Sequence, residues 1–181
     1  MQKIFLQNKR IVINKIFFKI TIKFIFISFL FLSTFLISFA DEMGYVNKVT
    51  DGDTVHITNI NGDSIKIRLL YIDSPEYDQP YGIESKTILE KLVLNKYVYI
   101  QTNRYDKYKR ALGTIFYQKK DINLEMIKFG AAWHYKKYAL SNQNMKDFIM
   151  YSENEKLAKQ RKIGLWEMDA APPWLWRKNK K

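Results

Sequence analysis

The 181-residue chain carries 30 Lys plus Arg against 18 Asp plus Glu, a formal +12, and is 47% hydrophobic and 15% aromatic. Those shares exclude an intrinsically disordered chain, and the absence of cysteine excludes disulfide frameworks, thiolate nucleophiles and Cys-based zinc sites. With only two histidines, His56 and His134, a His-rich metal centre is disfavoured as well, so any metal site has to be built from oxygen.

The positive charge is unevenly spread. Residues 1–40 hold six basic residues and no acid, +6, while residues 41–181 keep 24 basic against 18 acidic residues, also +6. A moderately basic globular part fits a polyanionic partner. It fits an ordinary solvated surface equally well, so charge alone does not decide function. Behind the basic stretch, Phe24 to Phe39 is uncharged and mostly Phe, Ile, Leu, Ser and Thr. Ser38 and Ala40 then stand at the −3 and −1 positions of a cleavage site, followed by Asp41-Glu42. This is the order of a secretory signal, and we read residues 1–40 as one. An uncleaved membrane anchor is the alternative. In either case the remainder is expected outside the cytoplasm, as secreted, periplasmic or cell-envelope protein.

Residues 41–170 show no repeat or linker and read as one domain. Tyr45 to Thr50 and Thr54 to Ile60 are β-rich and flank Asp51-Gly52-Asp53, and Asn61-Gly62 signals a two-residue hairpin. In the next strand Ile65, Ile67 and Leu69 alternate with Ser64, Lys66 and Arg68, so Arg68 projects away from the core-facing row. Ser74-Pro75-Glu76 ends that strand. Ile88, Leu89, Leu92 and Val93 have helical spacing within Gly82 to Leu94. Tyr97 to Arg104 and Ala111 to Tyr117 read as two more strands, Asn123 to Phe129 as a helix closed by Gly130, and Asn142 to Lys162 as a longer helix stopped at Gly164. Five strands with a helix between the third and fourth suit an α+β, five-stranded oligonucleotide-binding (OB) barrel. In the terminal segment 171–181, Pro172-Pro173-Trp174-Leu175-Trp176-Arg177 is too apolar for a free tail. Its tryptophans are expected to dock, leaving Lys178–Lys181 exposed.

Several groups can carry chemistry. Asp51-Gly52-Asp53 is either a simple turn or a means of presenting the Asp53 carboxylate to a hard divalent cation, which requires further oxygen ligands. Asp73-Ser74-Pro75-Glu76 is either a turn and helix cap or the source of a second metal carboxylate, Asp73, and of a general base, Glu76. Arg68 and Arg110 are either surface or salt-bridge arginines, or a pair of guanidinium forks for phosphate oxygens. Tyr105, Tyr108, Trp133, Tyr135 and Tyr138 lie among cationic residues. Such rings either stack on bases or pack with polar tips outward. His56 and His134 read as packing or surface residues.

The order of these motifs resembles the thermonuclease, or staphylococcal nuclease-like, family over roughly Tyr45 to Trp166. The resemblance rests on Val49-Thr50-Asp51-Gly52-Asp53-Thr54, Ile67 to Glu76, Asp106-Lys107-Tyr108-Lys109-Arg110 and Gly164-Leu165-Trp166. It implies a Greek-key OB barrel with three helices and Ca²⁺-dependent cleavage of DNA and RNA. Asp53, Asp73 and the Ser74 carbonyl would hold one Ca²⁺, Glu76 would act on the attacking water, and Arg68 and Arg110 would grip the phosphate. Tyr108 and Tyr138 match tyrosines near the substrate. Three departures stand out. Ser74 replaces the usual Thr, Lys109 stands where a Gly often precedes the arginine, and Tyr77–Gly82 is a shortened loop. A monomer is expected, touching membrane only through residues 1–40 if uncleaved. The rival reading is an OB binding module at the cell envelope that has lost catalysis.

Overall fold

Period-two alternation of apolar residues translates into a closed sheet in the computed structural model, which describes residues 42–180; residues 1–40, and with them the signal or anchor, lie outside the described residues. Strand β1 (Glu42–Asp51) pairs antiparallel with β2 (Thr54–Asn59) on one side and β5 (Tyr97–Tyr105) on the other. β2 continues to β3 (Ser64–Leu69), and β5 to β6 (Ala111–Tyr117). A parallel contact joining Ile67 to Ala111, Arg68 to Leu112 and Leu69 to Gly113 closes these five strands into the OB barrel. Register breaks at Val46/Lys48 and Val49/Asp51 bend β1, the usual device for turning a barrel corner. Val46, Val55, Ile57, Ile67, Val98, Ile100 and Ile115 fill the interior without exposure.

Three two-residue strands supplement the barrel: β4 (Ile72–Asp73), β7 (Lys120–Asp121) and β8 (Trp133–His134). β4 pairs with β8, while β7 extends the sheet beyond β6. Helix α1 (Gly82–Val93) lies between β4 and β5 in the chain and buries Leu89 and Val93. Helix α2 (Ile122–Lys128) is capped by the Asp121 carboxylate, which accepts from the Leu124 N–H. Its buried Asn123 donates to the carbonyls of Leu70 and Gly113 and accepts from the Ile115 N–H, so the end of β3 and the middle of β6 are tied to one side chain. Gly130 closes α2 with φ 57°, and a Cβ there would lie 2.0 Å from the Ile163 carbonyl oxygen; only glycine fits.

The expected long helix is α4 (Met145–Gln160), beginning three residues after Asn142 because the Asn144 side chain caps it by accepting from the Asp147 N–H. One expectation needs correction. The hairpin after β2 is not a two-residue turn. The Asn59 carboxamide accepts from the N–H groups of both Asn61 and Asp63, so a wider loop separates the last pair, Thr58 and Ser64. The three expected helices are α1, α2 and α4, and shorter elements supplement them: a single turn, α3 (Lys136–Ala139), a 3₁₀ turn at Gly164–Glu167 and a terminal helix, α5 (Pro173–Asn179). Proline at the start of α5 is favourable because its missing N–H would be unpartnered there anyway. Among the described residues no helix is long and apolar enough to cross a membrane.

Candidate active site

The cleft forms where β1 turns into β2 and β3 bends into β4. Asp51 opens the first turn by accepting from the Asp53 N–H at 3.0 Å, which aims the Asp53 carboxylate inward. Gly52 is required by space: a Cβ would lie 1.8 Å from the Ser85 Oγ of α1. The β3–β4 bend passes through Tyr71 at φ 66°, a left-handed conformation costly for a tyrosine. Arg68 holds the bend, its Nη1 donating to the carbonyls of Leu69 (2.6 Å) and Ile72 (2.9 Å).

The other terminal nitrogen of Arg68 joins the two turns. Nη2 stands 2.9 Å from Asp53 Oδ2 and 2.9 Å from Asp73 Oδ1. Asp53 also accepts from the Ser74 N–H at 2.8 Å and the Thr54 hydroxyl at 3.1 Å. Asp53, Asp73 and Ser74 are all buried. Burial, then the neighbouring Asp53 charge, pushes the Asp51 carboxyl up to about 7. Burial likewise raises Asp73, against the opposing pull of Arg177 and Arg68. Carboxylates crowded out of water in this way favour a cation.

Glu76, Tyr108 and Arg110 line the same cleft of about 420 Å3 as Asp51, Asp53, Asp73 and Ser74. Arg110 is gripped by Asp106, whose Oδ2 lies 2.8 Å from both Nε and Nη2. Burial opposes ionisation of Asp106, but N–H groups of Arg110 and Tyr108 outweigh it and hold that carboxyl below the usual range. Lys109 adopts φ 60°, so the left-handed turn that glycine favours is kept with a lysine in it, and Arg110 still reaches the cleft. Tyr108 is 67% exposed and its ring lies 5.5 Å from the Arg110 guanidinium. Tyr138 lies apart from the carboxylates, in an adjoining hollow of about 190 Å3 with Arg68, Arg110 and Tyr135. Arg104 donates to its hydroxyl. His56 and His134 serve packing: His56 meets the Thr50 hydroxyl at 3.1 Å, and His134 is buried against Phe148 and Tyr151.

Sequence reading missed Arg177. From α5 it forms a paired contact with Asp73 (Nη2 to Oδ2 2.7 Å, Nη1 to Oδ1 3.2 Å) and reaches Glu76 Oε1 at 2.7 Å. The available signal was spacing. Trp174 and Arg177 are i, i+3 on a helix and share a face, so a docked Trp174 carries Arg177 toward the body of the protein. Trp174 does dock, stacked on Tyr135 with ring centres 5.6 Å apart and edge-on to Trp133. Lys178 and Lys180 are exposed, Lys180 pairing with Asp78.

The donors here suit a hard divalent cation: two buried carboxylates at a cleft that water can enter. Among the described residues no cluster of three or more acidic or imidazole side chains forms a ready-made cage. A cation would therefore rest on Asp53 and Asp73 and be completed by carbonyl and water oxygens.

A closed five-stranded barrel with carboxylates and guanidinium groups gathered at one end is an OB fold that carries a charged cleft. The chain belongs to the staphylococcal nuclease homologue family, whose model matches residues 66–168. An uncharacterized endonuclease of Haemophilus influenzae is 39% identical over 137 residues, 75% of this chain and 73% of that protein. A micrococcal nuclease of Shigella flexneri is 33% identical over 154 residues, 80% of this chain and 85% of that one. The staphylococcal-like nuclease CAN1 of Arabidopsis thaliana shares 39% over 117 residues, 64% of this chain and 34% of the plant protein.

Proposed function

We propose that this nuclease is exported through residues 1–40 and hydrolyses phosphodiester bonds of DNA and RNA with one Ca²⁺, as a monomer. The observation that carries the reading is the convergence of Asp53 and Asp73 on one Arg68 nitrogen in a cleft that also contains Glu76 and Arg110.

Asp53, Asp73 and the Ser74 carbonyl would hold the ion. When bound, such an ion polarises a phosphoryl oxygen and helps carry charge developing in the transition state. The remaining work falls to side chains. Glu76 accepts a proton from water as the new O–P bond forms and the opposite P–O bond breaks, the departing oxygen being protonated from solvent. Arg68 and Arg110 present paired donors to phosphate oxygens as negative charge accumulates. For Arg110 this means exchanging the Asp106 carboxylate for a phosphate at the cleft edge. Tyr108 offers an exposed ring beside that phosphate, suited to stacking on a base, and Tyr138 a second aromatic wall in the adjoining hollow.

Digestion of single-stranded DNA and RNA by the purified protein, with Ca²⁺ and with chelator, tests this directly. Cleavage is expected with Ca²⁺ and lost with chelator. Chelator-insensitive cleavage would overturn the metal assignment, and absence of cleavage with any divalent ion would overturn the activity. N-terminal sequencing of the exported protein tests export, with Asp41 the expected first residue.

A further inference from the structure

Arg177 comes from outside the barrel, yet it makes the closest guanidinium contacts with both Asp73 and Glu76. Its helix is fixed at three points. Buried Gln79 accepts from the Glu76 N–H at 3.1 Å and donates to the Ala171 carbonyl at 2.5 Å, tying the turn that carries Glu76 to the residue just before Pro172. Trp174 stacks on Tyr135, itself a wall of the cleft. Lys180 pairs with Asp78 beyond the far end. The guanidinium is therefore placed by a docked element, and its side chain remains 43% exposed with a path back to solvent.

The position it takes is chemically significant. Arg68 already occupies Asp53 and one oxygen of Asp73. Arg177 covers the other Asp73 oxygen at 2.7 Å, touches the first at 3.2 Å and also reaches Glu76, so both acids have a positive partner without any ion. A guanidinium has five donors and no lone pair to offer a cation, and its positive charge repels one, so it competes with a divalent ion for the Asp73 oxygen that Arg68 leaves free. We propose that Arg177 is a positioning residue that acts as an internal counter-ion: it holds Asp73 and Glu76 in place when the site is empty and must release Asp73 for a divalent cation to bind. This rests on the metal-dependent reading above and goes beyond it. Ion affinity is set partly by a residue that is not a ligand, and the released guanidinium remains beside the cleft where a phosphate would lie.

Calorimetric titration of Ca²⁺ into the wild type, Arg177→Ala and Arg177→Lys, together with ion-free and Ca²⁺-saturated melting curves, tests the exchange. Losing the competitor should tighten Ca²⁺ binding by roughly tenfold in Arg177→Ala, since a paired, partly exposed guanidinium–carboxylate contact has about that strength. Arg177→Lys, which keeps the charge without the fork, should fall between. Arg177→Ala should melt lower than wild type without ion and gain more from Ca²⁺. A purely structural arginine gives the opposite pattern, with weaker or unchanged binding and no added gain, and that result overturns the exchange alone. If the wild type binds no divalent ion and cleaves nothing, the nuclease reading and the exchange fall together.

Discussion

The two sides of the cleft are built differently. On the barrel side Asp53, Asp73 and Arg68 are packed into the β1–β2 and β3–β4 turns, bonded to backbone groups and largely withdrawn from solvent. On the other side Tyr108 and Arg110 stand on an exposed loop, and Arg177 on a short docked helix, each arginine holding a carboxylate that it can exchange. The first side sets where charge is fixed, and the second supplies charge that can move onto a substrate. Rigid groups preorganise a site, while partly solvated groups can change partners at low cost.

The two arginines provide the sharpest test of that difference. Arg68→Ala should reduce turnover by about 10³-fold. It should also cost roughly 3 kcal/mol of stability, because it leaves buried Asp53 without a cationic partner and the Leu69 and Ile72 carbonyls without their donor. Both losses should appear, one in a nuclease assay and one in a urea melt. Arg110→Ala should reduce turnover by about 10²-fold while costing only about 1 kcal/mol of stability, because its half-buried partner Asp106 keeps its backbone hydrogen bonds from Tyr108 and residue 110. Arg110→Lys should not restore turnover, since the paired donors are lost. If Arg110→Ala destabilised the fold as much as Arg68→Ala, the proposed division between fixed and movable charge would be wrong.

The barrel side was also the legible side. Arg68, Asp73, Ser74 and Glu76 lie within one strand end, and alternation of Ile65, Ile67 and Leu69 fixed which way Arg68 points. The parallel closure of β3 on β6 could not be read, because no local pattern encodes which distant strands meet. Helix α3 is a single turn, too short for a period. The hairpin after β2 was misjudged because Asn59 offers its side chain to two backbone N–H groups, capturing the loop before Asn61-Gly62 can make its own turn. Arg177 was hidden by distance, 104 residues from Asp73. Docking of the tryptophans was expected, but the i, i+3 link that brings the arginine with them was not drawn. Lys109 shows the reverse case. A lysine stands where glycine is favoured, and it takes the left-handed conformation at φ 60°, a modest local cost in strain.

Behind Asp73 the fixed side continues into the protein. β4 pairs with β8, matching Asp73 to Trp133 and Ile72 to His134. The His134 N–H donates to buried Glu155 Oε1 at 3.1 Å, while Lys136 and Lys159 hold Oε2 at 2.7 and 3.2 Å. Removing this carboxylate leaves a buried N–H unpaired and separates two partly exposed lysines. Glu155→Ala should therefore cost about 2 kcal/mol. If fixed geometry matters at Asp73, turnover should also fall, by a few-fold rather than by the decades expected for Arg68. A stability loss with turnover unchanged would show that β8 supports the fold but not the carboxylate.

The smallest effect concerns the ring of His134. Nε2 donates to Gln143 Oε1 at 3.0 Å, leaving Nδ1 to accept from the Ser152 hydroxyl at 3.1 Å, an arrangement complete in the neutral ring. Burial lowers its pKa from 6.5, and Lys136 adds to this, against the opposing pull of Gln143 and Glu155. The unfolded chain therefore takes up this proton at a higher pH than the native protein. His134 contributes its full share of stability above about pH 6.5, and that share declines as pH falls toward the lowered native value, then levels off. Asp51 works in the opposite sense. Its raised carboxyl, at about 7, favours the fold at low pH and withdraws that support as pH rises, so the bulk profile mixes the two. The difference in Tm between wild type and His134→Gln isolates the histidine. It should be constant above pH 7 and shift against the wild type between pH 6.5 and pH 5. A flat difference across that interval would mean that the ring can charge in place, and that the fixed side gives more readily here than at the carboxylates.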